Sequence, residues 1–286
     1  MTKHKQSWGP VACVLAASLL FSTGGLLMKL IPWAPLAING VRNLIGAGII
    51  GLYLLCTRHR IVFSRSVLIG ALSMMGVTSL FAVSNKLTTA ANAIVLQFTA
   101  PVFVILISAF IFHLPPKKEE ILTCACVLLG VCLFFVDGLQ AGNWLGNLTA
   151  VLSGICYAGV FLMNTGKNAD AISSSFLGQL AAGVLFTPLA FQETDFSAPA
   201  VTAVCCLGVF QVGLAYVFFS AGIRKTPAIT ASLITGLEPV LNPLLVAVFY
   251  GERVSSLSIA GAVLVVGSIV AYNVRMAGRK ESPEPG

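Results

Sequence analysis

The chain has 286 residues, 57% of them hydrophobic and only 9% charged, with a mean hydropathy of +0.93. A soluble domain carries roughly 25% charged residues to coat its surface, so water is excluded as the main solvent. A net charge of +7 and a pI near 9.1 do not indicate a nucleic-acid partner, because the basic residues sort by side of a membrane.

Windows long enough to cross a hydrocarbon core, which takes about 20 residues of helix, follow one another along the chain. The first, residues 6–28, is an uncharged run of 23 residues behind Lys3, His4 and Lys5. It exceeds the roughly 7–15 apolar residues of a cleaved signal peptide and is expected to stay as a helix. The second, 35–56, is interrupted by Arg42, and the third and fourth, 66–85 and 87–116, are charge-free. The fifth, 121–136, is short but ends at Glu120 and Asp137, which can reach the interface. Then come 138–166, 171–192, 196–223, 227–250 with Glu238 inside it, and 254–274. Backbone amides find no water in lipid, so each window is expected to be helical, and the alternating segments of a β-barrel are missing. The expected fold is all-α: a polytopic membrane protein with ten transmembrane helices.

With the N-terminus inside, 13 basic residues fall in cytoplasmic segments, Lys29, Lys86 and Arg253 fall outside, and Arg42 lies within a span. This positive-inside asymmetry predicts cytoplasmic termini in a cell (plasma) membrane, with Trp8, Trp33 and Trp144 at helix ends. The eight cysteines lie in or beside apolar spans without a CxxC pair, and His4, His59 and His113 sit at cytoplasmic edges. Core packing explains the cysteines, and neither a metal nor another cofactor is expected. Nucleotide-binding and hydrolase signatures are missing, so no enzyme is expected, and a solute or ion gradient has to supply the energy.

Placing Pro101 over Pro239, an offset of 138 residues, also pairs Thr88 with Thr226, Ala90 with Ala228, Ala93 with Ala231, Val102 with Val240, Leu106 with Leu244, and Lys86 with Arg224. This suggests a repeat, residues 1–140 and 141–286, the second ending in a short cytoplasmic tail. Five helices in each half force the second to enter the membrane inverted, with a solute site between the halves near the midplane. Small residues four apart, such as Ala150, Gly154 and Ala158, or Ser18 and Ser22, point to close helix packing.

Glu238 stands about eleven residues, roughly 16 Å, into its span. A carboxylate there costs about 2.5–3.5 kcal/mol on insertion scales, so it should face a cavity, find a partner or be protonated. The bland alternative is a glutamate tied to Arg42 or Lys29 that only locks helices together. Arg42 is close enough in depth to pair with Glu238, yet its long stem can also reach the outer interface. Pro239 and Pro243 break the backbone ladder around Asn242, whose amide could bond a polar solute. Pro101 is expected to break the fourth span at a matching depth, with Gln97 one turn earlier. Ser22, Tyr157, Gln211 and Tyr216 complete the cavity candidates, although such groups more often bond between helices.

Two motifs carry a family resemblance: Lys86-Leu-Thr-Thr-Ala-Ala-Asn-Ala with Ala100-Pro101-Val-Phe, and Leu237-Glu238-Pro239-Val-Leu-Asn242-Pro243 running to Gly251-Glu252. Over essentially its whole length the chain resembles EamA-type members of the drug/metabolite transporter superfamily. The resemblance implies two inverted five-helix repeats, a central cavity and alternating access, with amino acids and other small metabolites as substrates, often exported. One departure is that His113-Leu114 stands in the first half where Gly251-Glu252 stands in the second. The expected partners are a small-molecule substrate, the lipid bilayer and, through Glu238, a coupling proton. An intramembrane lipid-acting enzyme or a scaffold without flux are the competing readings; the first would want clustered Asp, His or Ser-Lys groups, and these spans offer isolated ones. The topology predicts that a fluorescent protein fused after Gly286 glows and that alkaline phosphatase fused there stays inactive. The opposite pair of results would remove the cytoplasmic C-terminus and the inverted-repeat argument with it.

Overall fold

The computed structural model describes residues 8–110, 113, 116–140, 143–163, 168–223, 234 and 237–281. Among these every regular element is helical. The helices are α1 (Trp8–Ser22), α2 (Gly24–Leu30), α3 (Pro35–Cys56), α4 (Arg65–Leu87), α5 (Ala90–Gln97), α6 (Ala100–Phe110), α7 (Lys118–Gln140), α8 (Trp144–Met163) and α9 (Ala171–Phe186). A 3-10 segment, Thr187–Gln192, extends α9. Then α10 (Ala198–Cys206), a π-helical segment (Leu207–Leu214) and α11 (Ala215–Ile223) run on as one rod, followed by α12 (Glu238–Tyr250) and α13 (Ser256–Glu281).

Seven helical runs among the described residues have the length and composition to cross a membrane: Gly9–Leu30, Pro35–Cys56, Arg65–Leu87, Ala90–Phe110, Trp144–Met163, Ala171–Gln192 and Ala198–Gly222. Where the fifth, ninth and tenth spans were expected lie α7, α12 and the apolar stretch Ser256–Tyr272 of α13.

The partition of side chains is that of a protein in lipid. Leu55, Phe110, Leu72 and Phe249 project outward, whereas Asn39, Asn43, Asn85, Ser153 and Gln179 are fully buried. Lipid gives apolar side chains no reason to leave the surface, so helices associate through small residues and interhelical hydrogen bonds. Ala150 and Ala158 of α8 are fully buried, and a Cβ on Gly154 would stand 3.0 Å from the Gln97 carbonyl, so the small-residue face seats α8 against α4 and α5. In the same way a Cβ on Gly183 would lie 2.8 Å from Leu44 Cα, bringing α9 onto α3.

Two sets of polar contacts close the ends of the bundle. At one face His59 Nε2 lies 2.5 Å from Asp170 Oδ2, and the Ser173 hydroxyl donates to the same oxygen at 3.0 Å. The Asp170 carboxylate also caps α9, accepting from the Ile172 amide. Burial pushes the Asp170 carboxyl up, but the hydrogen bonds from His59 and Ser173 and the nearby imidazole charge outweigh it and hold the group below its usual range. Ser64 reinforces this end by capping α4 and donating to the Asn168 carbonyl. At the other face Trp33 Nε1 donates to the Asp195 carbonyl at 2.6 Å, Glu193 accepts from the Ala34 amide, and Lys86 donates to the Ile31 carbonyl.

Gly40 marks the tightest backbone approach in this region: a Cβ there would overlap the Phe186 carbonyl carbon and the Thr187 nitrogen, where α9 passes into its 3-10 extension. Gly48, two turns along the same helix, has nothing of the described residues within 4 Å of that position. Gly40→Ala should therefore cost about 1–3 kcal/mol of stability as overpacking, whereas Gly48→Ala should be neutral or slightly stabilising. Thermal unfolding of the two purified variants in detergent checks this, and equal melting temperatures would contradict the close contact.

Candidate functional site

Three interruptions of helical backbone and the start of a fourth helix meet at the middle of the bundle. Helix α1 ends at Ser22 and α2 restarts at Gly24; α5 ends at Gln97 and α6 restarts at Ala100. The π-helical segment widens the turn around Gln211, and α12 begins at Glu238 behind Leu237. Backbone irregularity at membrane depth is tolerated where it is buried in protein or lines a cavity, and here it surrounds one. A cavity of about 50 Å³ is bounded by Phe21, Arg42, Val77, Thr78, Phe81, Gln97, Tyr157, Gln211, Val212, Tyr216 and Glu238. That is room for a few waters.

Arg42 is the most buried charge of the site, at 1% exposure. Its Nη2 donates to the Thr78 carbonyl and to Asn39 Oδ1, both at 3.0 Å, and Nη1 donates to Gln211 Oε1 at 3.3 Å. Asn39 is held in turn by the Asn43 amide, which donates to its Oδ1 at 2.8 Å, while its own Nδ2 donates to Ser79. All these acceptors are neutral. Among the described residues the ion pairs are Lys29–Glu252 and His59–Asp170, so neither expected partner of Glu238, Arg42 or Lys29, neutralises it. Nor does the Arg42 stem reach an outer interface; it turns inward.

The remaining walls mix amides with rings. Gln97 Nε2 donates to Ser153 at 2.7 Å, and Ser153 donates to the Val77 carbonyl. The Tyr216 hydroxyl meets Met74 Sδ at 3.3 Å, and its ring stands edge-on to Phe21 with centroids 5.1 Å apart. Glu238 is half-buried and sits in the first turn of α12, where the helix dipole favours a negative charge.

Six of the eight candidates read from sequence thus share one cavity: Glu238, Gln97, Arg42, Tyr157, Gln211 and Tyr216. Two stand behind its wall. Ser22 is buried and donates to the Ser18 carbonyl at 2.8 Å. Asn242 is fully buried against Gly25, where a Cβ would overlap its Oδ1. The three prolines expected to break helices occupy two kinds of position. Pro101 and Pro239 each take the second position of a new helix, where a missing N–H costs nothing, and only Pro243 lies inside one. Sequence reasoning missed Phe21, Val77, Thr78, Phe81 and Val212. Phe21 adjoins the Ser22-Thr23-Gly24-Gly25 break and was findable; the others carry no signal that separates them from packing residues.

An all-helical, lipid-facing bundle with a charged cavity among broken helices defines a polytopic membrane protein of transporter type. The EamA-like transporter family model matches residues 8–136 and again 144–274. The chain belongs to that family. It is similar to the uncharacterized transporter YwfM of Bacillus subtilis, 26% identical over 90% of this chain and 91% of that one. It is also similar to the uncharacterized transporter sll1319 of Synechocystis, 28% identical over 68% and 60% of the two chains. A solved crystal structure superposes with a TM-score of 0.64 at 19% identity, covering 94% of this chain and 98% of the other, and shares the fold.

Arg42 uses its planar fork to reach three acceptors on α3, α4 and the π-helical segment. A lysine there keeps the buried charge but lacks the fork. Arg42→Lys should lower stability by about 1–3 kcal/mol, read as a drop in melting temperature of the purified protein. An unchanged melting temperature would mean that these hydrogen bonds do not hold the three elements together.

Proposed function

We propose that the protein is a secondary transporter that exports a small zwitterionic metabolite of amino-acid type by alternating access through the Arg42–Glu238 cavity. One observation carries the reading: opposite charges line a single cavity without pairing with each other. Arg42 offers its charge and the Nη1 hydrogen not given to Gln211 to a carboxylate, Glu238 offers a carboxylate to an ammonium, and Phe21, Phe81, Tyr157 and Tyr216 form an apolar wall for a side chain.

Two inverted five-helix repeats and ten spans fit the same picture. The family model matches each half separately, and at the 138-residue offset Ala100-Pro101 and Glu238-Pro239 both open helices beside the cavity. With cytoplasmic termini, the Lys29–Glu252 face is the outer one and the His59–Asp170 face the inner. Glu238 then either holds the ammonium of the solute or exchanges a proton as the cavity changes sides.

Purified protein in liposomes, offered each of the common L-amino acids in labelled form, tests the reading. At least one should be exchanged faster than by empty liposomes. Glu238→Gln keeps the shape and removes the charge, so it should cut exchange about 10- to 100-fold, the worth of one charged hydrogen bond, and flatten the pH dependence. A well-folded Glu238→Gln protein with wild-type flux and pH profile would remove Glu238 from the cycle.

A further inference from the structure

Three half-helices run from the cavity towards the same membrane face. Helix α2 starts at Gly24, where a Cβ would stand 3.0 Å from Gln211 Nε2; α5 ends on Gln97; and α12 starts on Glu238. Helix α12 packs against both of the others. Their far ends are tied by two side chains. Lys29 Nζ lies 3.1 Å from Glu252 Oε1 and donates to the Thr88 carbonyl at 2.8 Å, while Glu252 Oε2 accepts from the Ala90 amide at 2.8 Å. Gly251, in the left-handed conformation at φ 76°, ends α12 and turns Glu252 into this position. The two side chains are only 11% and 16% exposed, so the pair is largely shielded from solvent screening.

Between the pair and the cavity stands Asn242, one turn beyond Glu238 on α12. It is 0% exposed, and among the described residues neither its Oδ1 nor its Nδ2 has a hydrogen-bond partner. Its Oδ1 occupies the space that the missing Cβ of Gly25 leaves, with Ala90 Cβ 3.2 Å from the same point. Membrane-buried amides commonly make interhelical hydrogen bonds; among the described residues this one, like those of Asn85 and Gln179, makes none, and of the three it is the one on α12, a turn from Glu238. A buried amide without partners is unfavourable while α2 lies on α12, and separation of the two helices with entry of a polar group would relieve it.

We propose that the Lys29–Glu252 pair is the clasp of a gate built from α2, α5 and α12, and that Asn242 is a second solute contact which the open gate uncovers. Its amide presents one acceptor and two donors, which suits either the ammonium or the carboxylate of a zwitterion moving outward from Glu238. The proposal rests on the transport reading, but the clasp is testable without any solute.

Hydrogen–deuterium exchange of the purified wild type, Glu252→Gln, Lys29→Met and the double variant reads the clasp. Glutamine keeps an acceptor for the Ala90 amide and removes only the charge. Each single change should speed amide exchange in residues 24–30 and 90–97 by about tenfold, and the double variant should exchange no faster than the faster single. Unchanged exchange, or effects that multiply in the double variant, would overturn the clasp. For the subsite, Asn242→Leu is nearly isosteric and cannot hydrogen-bond. It should raise the KM about tenfold for the labelled L-amino acid that wild-type liposomes exchange fastest, with amide exchange no faster than wild type. Should leucine prevent folding, Asn242→Ser should move KM in the same direction. An unchanged KM in a folded variant would overturn the subsite. Wild-type liposomes that exchange no amino acid would refute the substrate reading, while the deuterium comparison would still decide the clasp.

Discussion

A guanidinium sealed inside a lipid-facing bundle sets the terms for the rest of this molecule. Arg42 sits at 1% exposure with no carboxylate of the described residues bonded to it, and a buried charge is tolerated only where hydrogen bonds replace its hydration. Those bonds come from a backbone carbonyl on α4, an asparagine on its own helix and a glutamine on the π-helical segment. Asn39 and Asn43 are buried because Arg42 needs them, and α3, α4 and the π-helical segment converge because their acceptors have to lie within reach of one planar group. The polar interior is thus a consequence of one charge more than a collection of separate hydrogen bonds.

Helix interruption is the second organising element. Gln97, Gln211 and Glu238 all stand at or inside a break, and Phe21 lies beside one. A continuous helix at membrane depth satisfies its own amides and presents only side chains. A broken one adds free backbone groups and aims the flanking side chains into the gap. Both proline-led helices start at the cavity, so the proline ring fixes where the break falls while the helix N-terminus sets the local field.

Much of this was legible in the sequence. Charge-free windows gave the helices because a charge in lipid costs more than any competing local preference. Glu238 and Arg42 were legible for the same reason: each breaks an apolar run, and both reached the cavity. Gln97 followed from Pro101, and Tyr157, Gln211 and Tyr216 from the scarcity of polar side chains in spans. What did not emerge is pairing across the fold. Whether Glu238 meets Arg42 depends on rotation about helix axes, which spacing along one chain does not fix. The partnership of Lys29 with Glu252 joins positions 223 residues apart, with no local pattern to announce it. Thr78 contributes its carbonyl to Arg42, and a backbone carbonyl leaves no trace in a sequence.

The π-helical segment has a consequence of a different kind. Its wider turns absorb residues that a regular α-helix would have to place elsewhere, so the angular phase of α11 relative to α10 is stored in the length of Leu207–Leu214 and not in any one side chain. Most substitutions there leave the phase alone. Loss of a single residue would let the backbone relax towards α-helix with its hydrogen bonds intact while turning everything downstream by about 100°, carrying Tyr216 off Phe21 and out of the cavity. The segment is therefore tolerant of changes in spelling and intolerant of changes in count, an asymmetry that a regular transmembrane helix with the same residues would not have.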